Sequence, residues 1–524
     1  MRSPTIRRLA LIAFFLAAGG THPLAAQTID TIVVDNHNIF EPGGEPLPLL
    51  AQLGDALHVR TRPWVIRRTL LLDQGDRYDS ARVVESERAL RALGVFRDVL
   101  LDTTRVDGRL ALVVTTADGW STRPQVDFST AGGSTSWAAG LVEKNLLGTA
   151  NQIQVLYQKT PDRGLLDFIF TSPGLLWRHA DLTAAYEELS DGRLGYWSYG
   201  VPFYESAARA SLTTGGQAAD QRVLLFRDGA TADSARRRAL AVGLSGGIAL
   251  SASDSAFVRL YLFGQWRREA FTRYGAPITG DSASGAVGLG LEVGRTRYAV
   301  GEFLDQYARR EDVDVSRRLF VGLYVAPRAL GYAAGRAGVG PAVSAQLGGA
   351  WDKTFAFARL DGDGVVGGGG VDSGRVEAGA TLMSQRWRGQ TVVLHAEGGA
   401  ARRVAPGTEF DLWLHFNGPR GYGAHVFTGT RRYWLVAEDR FLVTPEFLGL
   451  FGVGLAPFAE WGGAWYGDER PRAGGDAGLA LRLGSTRSTR GEVTEIALSE
   501  RFGGSPGVPR GWAVTIRQAV DFRQ

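Results

Sequence analysis

The sequence predicts an all-β transmembrane barrel of about sixteen antiparallel strands, preceded by a small α+β domain. Composition is the first observation: 70 Gly, 13 Trp, 15 Tyr and 25 Phe accompany a mean hydropathy of −0.07. Near-neutral hydropathy with abundant aromatics is what alternating lipid-facing and water-facing residues produce. The second is that alternation itself. In the last segment Trp512, Val514, Ile516, Val520 and Phe522 occupy one face, and Thr515, Arg517, Asp521 and Arg523 the other. The third is the lack, beyond the leader, of an unbroken apolar run of about 18 residues, which leaves strands as the means of crossing a bilayer.

Residues 1–26 read as an export signal. Arg2, Arg7 and Arg8 form the basic start, Leu9–Ala18 is apolar, and Leu24-Ala25-Ala26 offers a small-residue cleavage site. The formal net charge is +4, and the three leader arginines leave +1 on the mature chain. That balance does not recommend nucleic acid as a partner. Zero Cys removes disulfides and thiolate chemistry together.

Residues 27–120 form the small domain, with 36–58 as an insertion of no assigned role. Thr28–Val34 is its first strand. Thr61 caps a helix carrying Pro63, Val65, Ile66 and Leu70, which stops at Asp73-Gln74-Gly75. Asp79 caps a second helix that presents Val83, Ser86, Leu90 and Leu93 on one face and ends at Gly94. Two strands follow, Phe96–Asp102 and Leu110–Thr116, joined by a turn at Asp107-Gly108. With Gly75, Tyr78, Leu90, Leu93, Gly94 and Phe96 in these positions, the segment resembles a polypeptide-transport-associated (POTRA) domain. The resemblance implies a periplasmic module that binds client chains by lending a sheet edge.

From 121 to 524 segments of about ten alternating residues recur. At Asn151–Lys159, Ile153, Val155 and Tyr157 share one face and Gln152, Gln154 and Gln158 the other. Allowing roughly 25 residues for a strand with its turns and loops gives the count of about sixteen, even because a barrel must close. Tyr196, Trp197, Tyr199, Phe203 and Tyr204 fit a headgroup-level aromatic cluster.

Several chemical motifs are weak. Gly243-Leu244-Ser245-Gly246-Gly247 matches the hydrolase elbow, but its apolar flanks carry no helical stripe. Asp361-Gly362-Asp363-Gly364 lacks the later ligands of a calcium loop and reads as an outer loop beside Gly367–Gly370. The seven His include no His-x-x-x-His pair. No enzymatic site and no cofactor is predicted.

The most informative motif is Arg420-Gly421-Tyr422 in a Gly-rich stretch between strand-like segments, followed by Glu438-Asp439-Arg440 and Phe458-Ala459-Glu460-Trp461-Gly462. That order resembles the outer-membrane assembly and translocation superfamily (BamA/TamA-like, the bacterial surface antigen family). Asn145–Thr149 and Thr171–Leu175 are similar to its first two periplasmic hairpins. The resemblance implies that Arg420, Gly421 and Tyr422 fold back into the lumen, and that Arg420 meets Glu460. Glu438 and Arg440, two apart on one wall, are further partners in a lumenal charge network. It also implies a weak seam between a first strand near Gln125–Thr130 and a last strand at Trp512–Phe522. The expected function is insertion or translocation of other polypeptides at the bacterial outer membrane, with the small domain in the periplasm. Partners would be membrane lipid, client outer-membrane or secreted polypeptides, and periplasmic or lipoprotein subunits. A two-partner-type secretion pore and a passive channel are the alternatives.

Overall fold

Strand alternation dominates the chain because every backbone polar group that crosses lipid needs a partner, and a closed antiparallel ladder supplies one. The computed structural model describes residues 27–39, 58–273, 276–304, 307, 310–333, 335–412, 417–447, 451–467, 469–485, 493–520 and 522. The leader, most of the 36–58 insertion, Asp521 and Arg523 lie outside them.

In the small domain, β1 (Thr31–His37) runs parallel to β3 (Arg109–Asp118), and β2 (Phe96–Val106) pairs antiparallel on the other side of β3. Helices α1 (Pro63–Thr69) and α2 (Ser80–Ala92) precede β2. Ile29, Val65, Ile66, Leu70, Val83, Leu90, Phe96 and Leu112 form the core, with Leu93 packed at its margin. Gly75 and Gly94 take φ of +94° and +66°, at a turn and at the end of α2. Tyr78 is 39% exposed, and its backbone N–H donates to the Gln27 carbonyl at 2.8 Å. Asp79 caps α2 by accepting from Ala81 N at 2.9 Å. Thr61, expected to cap α1, does not, and Arg62 stands at that position without a side-chain capping bond. The Thr61 hydroxyl is engaged elsewhere: it donates to buried Asp118 at 3.1 Å, alongside Thr61 N at 2.7 Å.

The barrel contains twenty strands among the described residues, from Thr122–Ala131 to Gly511–Gln518, rather than about sixteen. The estimate failed because it allowed for long loops. Many hairpins turn in two residues, and Gly132-Gly133, Asp228-Gly229 and Asp352-Lys353 each have both φ positive, as mirror-image turns require. Outward alternation is plain on the tenth and eleventh strands (Ala276–Arg295, Arg317–Pro327). There Val287, Leu289, Leu291, Val293, Leu319, Val321, Leu323 and Val325 are between 42% and 58% exposed, a band suited to lipid. Tyr196 and Trp197 on the sixth strand (Gly192–Val201) are similarly half-exposed.

Gly243–Gly247 lies inside the eighth strand, Ala230–Ala252, paired on both sides. Asp361–Gly364, read from sequence as a loop, lies inside the thirteenth strand, Thr354–Gly367. The turn falls at Gly368-Gly369 instead, and Asp361 accepts a hydrogen bond from Ser344 Oγ at 2.7 Å across the ladder.

The small domain sits against one barrel end. Asn145 Nδ2 donates to Thr61 Oγ1 at 2.9 Å, and the Arg68 guanidinium donates to the carbonyls of Thr149 and Gly174 at 3.2 and 3.3 Å. Thus the turns after the second and fourth strands are its seat. At the same end, between the tenth and eleventh strands, Tyr298–Glu302 and Arg310–Asp314 form a separate hairpin. Its Leu304, Val313 and Val315 join a buried cluster with Phe355, Met383, Val393, Trp434, Val520 and Phe522.

That cluster corrects one expectation. Trp512 and Val514 face outward at 66% and 56% exposure, but the last strand ends at Gln518, and Val520 and Phe522 are buried at 5% and 4%. Phe522 packs on Trp434 and His395 at ring distances of 5.6 and 4.9 Å, and its carbonyl accepts from Thr381 Oγ1 at 2.7 Å. An apolar cluster inside the barrel competes with lipid for such side chains, and here it prevails.

Candidate functional site

The wall closes unevenly. The first strand pairs along its whole length with the second, from Thr122–Glu143 to Ala131–Ser134, and the nineteenth and twentieth pair from Thr494–Gln518 to Arg501–Gly511. Among the described residues the ladder between the first and twentieth strands is the single pair Thr130–Ile516, supplemented by Gln518 Nε2 donating to Asp127 Oδ1 at 2.8 Å. Val520 and Phe522, which follow in the same register, are turned into the lumenal cluster instead. Among the described residues, Pro124–Val126 therefore has no ladder partner on its seam side.

Beside this seam lies Arg420, on the connection between the fifteenth strand (Gln390–Arg402) and the sixteenth (Arg431–Phe447). It enters the lumen from the end opposite the small domain. Glu460 Oε1 accepts from Arg420 Nε at 2.9 Å and Nη2 at 2.6 Å, and Oε2 accepts from the Arg420 backbone N–H at 2.6 Å. Arg420 Nη2 also donates to Glu438 at 2.7 Å, Nη1 donates to Glu495 at 3.4 Å, and the guanidinium lies 3.7 Å from the centre of the Phe458 ring. Gly421 N donates to Asp476 at 3.1 Å. A Cβ there would come within 3.0 Å of Asp476, Ser499 and Arg501, so only glycine fits without a shift. Tyr422 Oη donates to the Gly475 carbonyl at 2.8 Å, and its ring meets Phe427 edge-on.

A second layer balances these charges. Arg440 Nε donates to Glu438 at 2.5 Å, Arg482 bridges Glu438 and Glu495, and Arg517 Nε donates to Glu495 at 3.1 Å. Four arginines (420, 440, 482, 517) pair among three carboxylates (438, 460, 495), while Asp476 accepts from the loop at Gly421 N; all eight side chains are buried. Such matching is what a water-poor interior demands. The wall residues come from five consecutive strands ending at the seam, and Thr515 Oγ1 on the last strand donates to the Arg420 carbonyl at 2.7 Å. Beyond the motif the loop crosses to the other side of the seam: Ala424 N donates to Ser134 Oγ at 2.9 Å.

Sequence reasoning assigned Arg420, Glu438, Arg440 and Glu460 to this site but did not include Asp476, Arg482, Glu495, Thr515 or Arg517. The available signal was a charge at an inward position of an alternating strand, with opposite signs facing in register at Arg482–Glu495 and Glu495–Arg517. A second omission is His425, whose Nδ1 contacts Asp411, whose Nε2 lies 3.0 Å from both Asp162 oxygens, and which stacks on Phe226. Burial would lower its pKa, but the hydrogen bonds to Asp162 and Asp411 outweigh burial and raise it to about 9. Among the described residues, no group of three or more His, Asp or Glu side chains is arranged to hold a metal.

No family model matches the chain. A segment of 108 residues is 33% identical to the outer membrane protein assembly factor BamA of Neorickettsia risticii, covering 20% of this chain and 14% of that protein. The chain therefore spans about a seventh of the length of that relative, and the likeness belongs to the matched segment. Two solved structures are similar to this barrel. BamA from Haemophilus ducreyi lacking POTRA domains 1–3 is 11% identical, with TM-score 0.44 and coverage of 93% of this chain and 84% of that one. CdiB from Escherichia coli is 11% identical, with TM-score 0.48 and coverage of 97% and 92%. The barrel assignment itself rests on the strand pairing described above. The closed barrel and its outward apolar band are suited to spanning a bilayer.

Proposed function

We propose that this protein assists the insertion or translocation of other polypeptides at the outer membrane, with the small domain acting as a periplasmic POTRA module. The observation that carries the reading is the seam: among the described residues one register pair joins the first and last strands, and Pro124–Val126 has no ladder partner beside it. An unpaired strand edge in lipid is a template for an incoming strand, because backbone pairing asks little of the client's side chains. The Arg420 loop touches both sides of that seam, through Thr515 and Ser134, and braces it. In the small domain β2 is likewise an edge strand, so a client has a first place to pair before the barrel. The work requires no bond chemistry and no cofactor. Client polypeptides and outer-membrane lipid are the partners, and periplasmic or lipoprotein subunits fit the same scheme.

The test uses the absence of Cys. Thr130→Cys and Ile516→Cys face each other across the seam, and oxidation would lock it. The locked barrel, reconstituted in vesicles, should lose insertion of a client barrel and regain it on reduction. Equal insertion by both forms rejects the seam as the working edge. Depletion followed by outer-membrane proteomics then separates the modes: broad loss of barrels marks assembly, loss of one exported protein marks dedicated secretion, and no change marks a passive channel.

A further inference from the structure

The hairpin between the tenth and eleventh strands is not part of the wall. We propose that it is a resident plug that closes the lumen from the small-domain end, with Tyr307 as the residue that seats it. Tyr307 is 7% exposed and lies against Gly452, Gly454 and Gly484 on the seventeenth and eighteenth strands (Phe451–Trp465, Ala473–Ser485). A Cβ on Gly452 would stand 2.3 Å from Tyr307 Cβ, one on Gly454 2.3 Å from its hydroxyl, and one on Gly484 2.4 Å from its ring. Gly452 and Gly484 are direct register partners, and Arg482 is the partner of Gly454 beside the phenol. Glycine weakens a strand interior, so three at the contact of one ring mark a surface shaped for that ring.

Other contacts hold the plug in place. Leu304 and Val313 are buried at 1% each in the lumenal apolar cluster that also takes Val520 and Phe522. Arg440 Nη1 donates to the Leu304 carbonyl at 2.6 Å, while Arg440 Nε holds Glu438, which in turn holds Arg420. Gln385 Nε2 donates to the Glu302 carbonyl at 2.6 Å. At its base the hairpin meets the small domain, where the Arg88 guanidinium of α2 lies 3.9 Å from the centre of the Tyr298 ring. The plug is thus linked to the lumenal loop through Arg440 and Glu438, and it touches the small domain below. With Tyr307 seated the axial path is shut, and a client must travel by the seam. This deepens the proposed function and rests on it for the client's route.

Ion conductance in planar bilayers tests the plug without any client, so its failure is separable from failure of the seam reading. Wild type and Tyr307→Phe, which keeps the ring, should stay near the closed baseline. Tyr307→Ala, and separately Gly484→Leu, which fills the seat from the wall, should each raise conductance several-fold while keeping heat-modifiable electrophoretic mobility. Folded Tyr307→Ala with wild-type conductance overturns the proposal, as does Tyr307→Phe opening as widely as Tyr307→Ala. Should Gly484→Leu fail to fold, the two Tyr307 variants still decide.

Discussion

Replacing Arg420 with Ala gives the sharpest prediction. In the folded protein its guanidinium is 0% exposed and satisfies Glu460 twice, Glu438 once and Glu495 at longer range. Without it, Glu460 keeps only the loop N–H and the more distant Arg517 at 3.8 Å. Removing one partner of a buried ion pair costs about 3–5 kcal/mol, and this site lies at that level because the uncompensated charge cannot reach bulk water. Glu460→Ala alone should cost a comparable amount, since it strands Arg420. The double variant removes both members of the pair and strands neither, so its loss should fall short of the sum of the single losses by about 0.5–3 kcal/mol. Urea unfolding of the lipid-reconstituted barrel, followed by tryptophan fluorescence and heat-modifiable mobility, measures all four corners of the cycle. Additive losses, or single variants with the wild-type midpoint, would refute the charge-balance argument.

Three further outcomes follow from other parts of the structure. His425 has a folded pKa raised to about 9, so its clasp on Asp162 and Asp411 is complete below the ordinary histidine value of about 6.5 and is lost as pH rises through about 9. Proteolytic protection of residues 417–430 should decline across that window in wild type and lie flat in His425→Gln; a flat wild-type profile rejects the clasp. In the first outer turn, a Cβ on Gly132 would stand 2.2 Å from Gly423 N, whereas Gly133, also at positive φ, has open space. Gly132→Ala should expose the Arg420 loop to protease and Gly133→Ala should not, and equal exposure sinks the idea that this contact seats the loop. Asp118→Ala removes the acceptor of Thr61 N and Oγ1 and the neighbour of His58, and charged hydrogen bonds of this kind contribute about 1.5–3 kcal/mol. Amide exchange at Thr61 should accelerate accordingly, and unchanged exchange counts against the role.

Some features were legible before any coordinates because they repeat locally. Alternation with period two is written into Val287–Val293 and Trp512–Ile516, and it needs only neighbouring residues to be seen. Asp79 and Gly94 announced the ends of α2 for the same reason: a cap is a short-range hydrogen bond, and a left-handed end suits glycine. Thr61 read as a cap too, but Asp118, 57 residues away, competes for its hydroxyl. The strand count depended on turn lengths, and an average loop hides two-residue turns such as Asp228-Gly229.

By itself, then, the sequence determined the class of fold, the outward apolar faces and the presence of an Arg-Gly-Tyr loop among acidic strands. Register decided the rest. Which carboxylates meet Arg420 depends on how strands 18 to 75 residues apart align, and a slip of one residue would turn Glu495 from the lumen to the lipid. The destination of Val520 and Phe522 was equally beyond a linear reading, because an apolar side chain satisfies lipid and a lumenal cluster alike. Only the assembled interior, with Trp434, Met383 and the plug already present, makes the inward choice the better one.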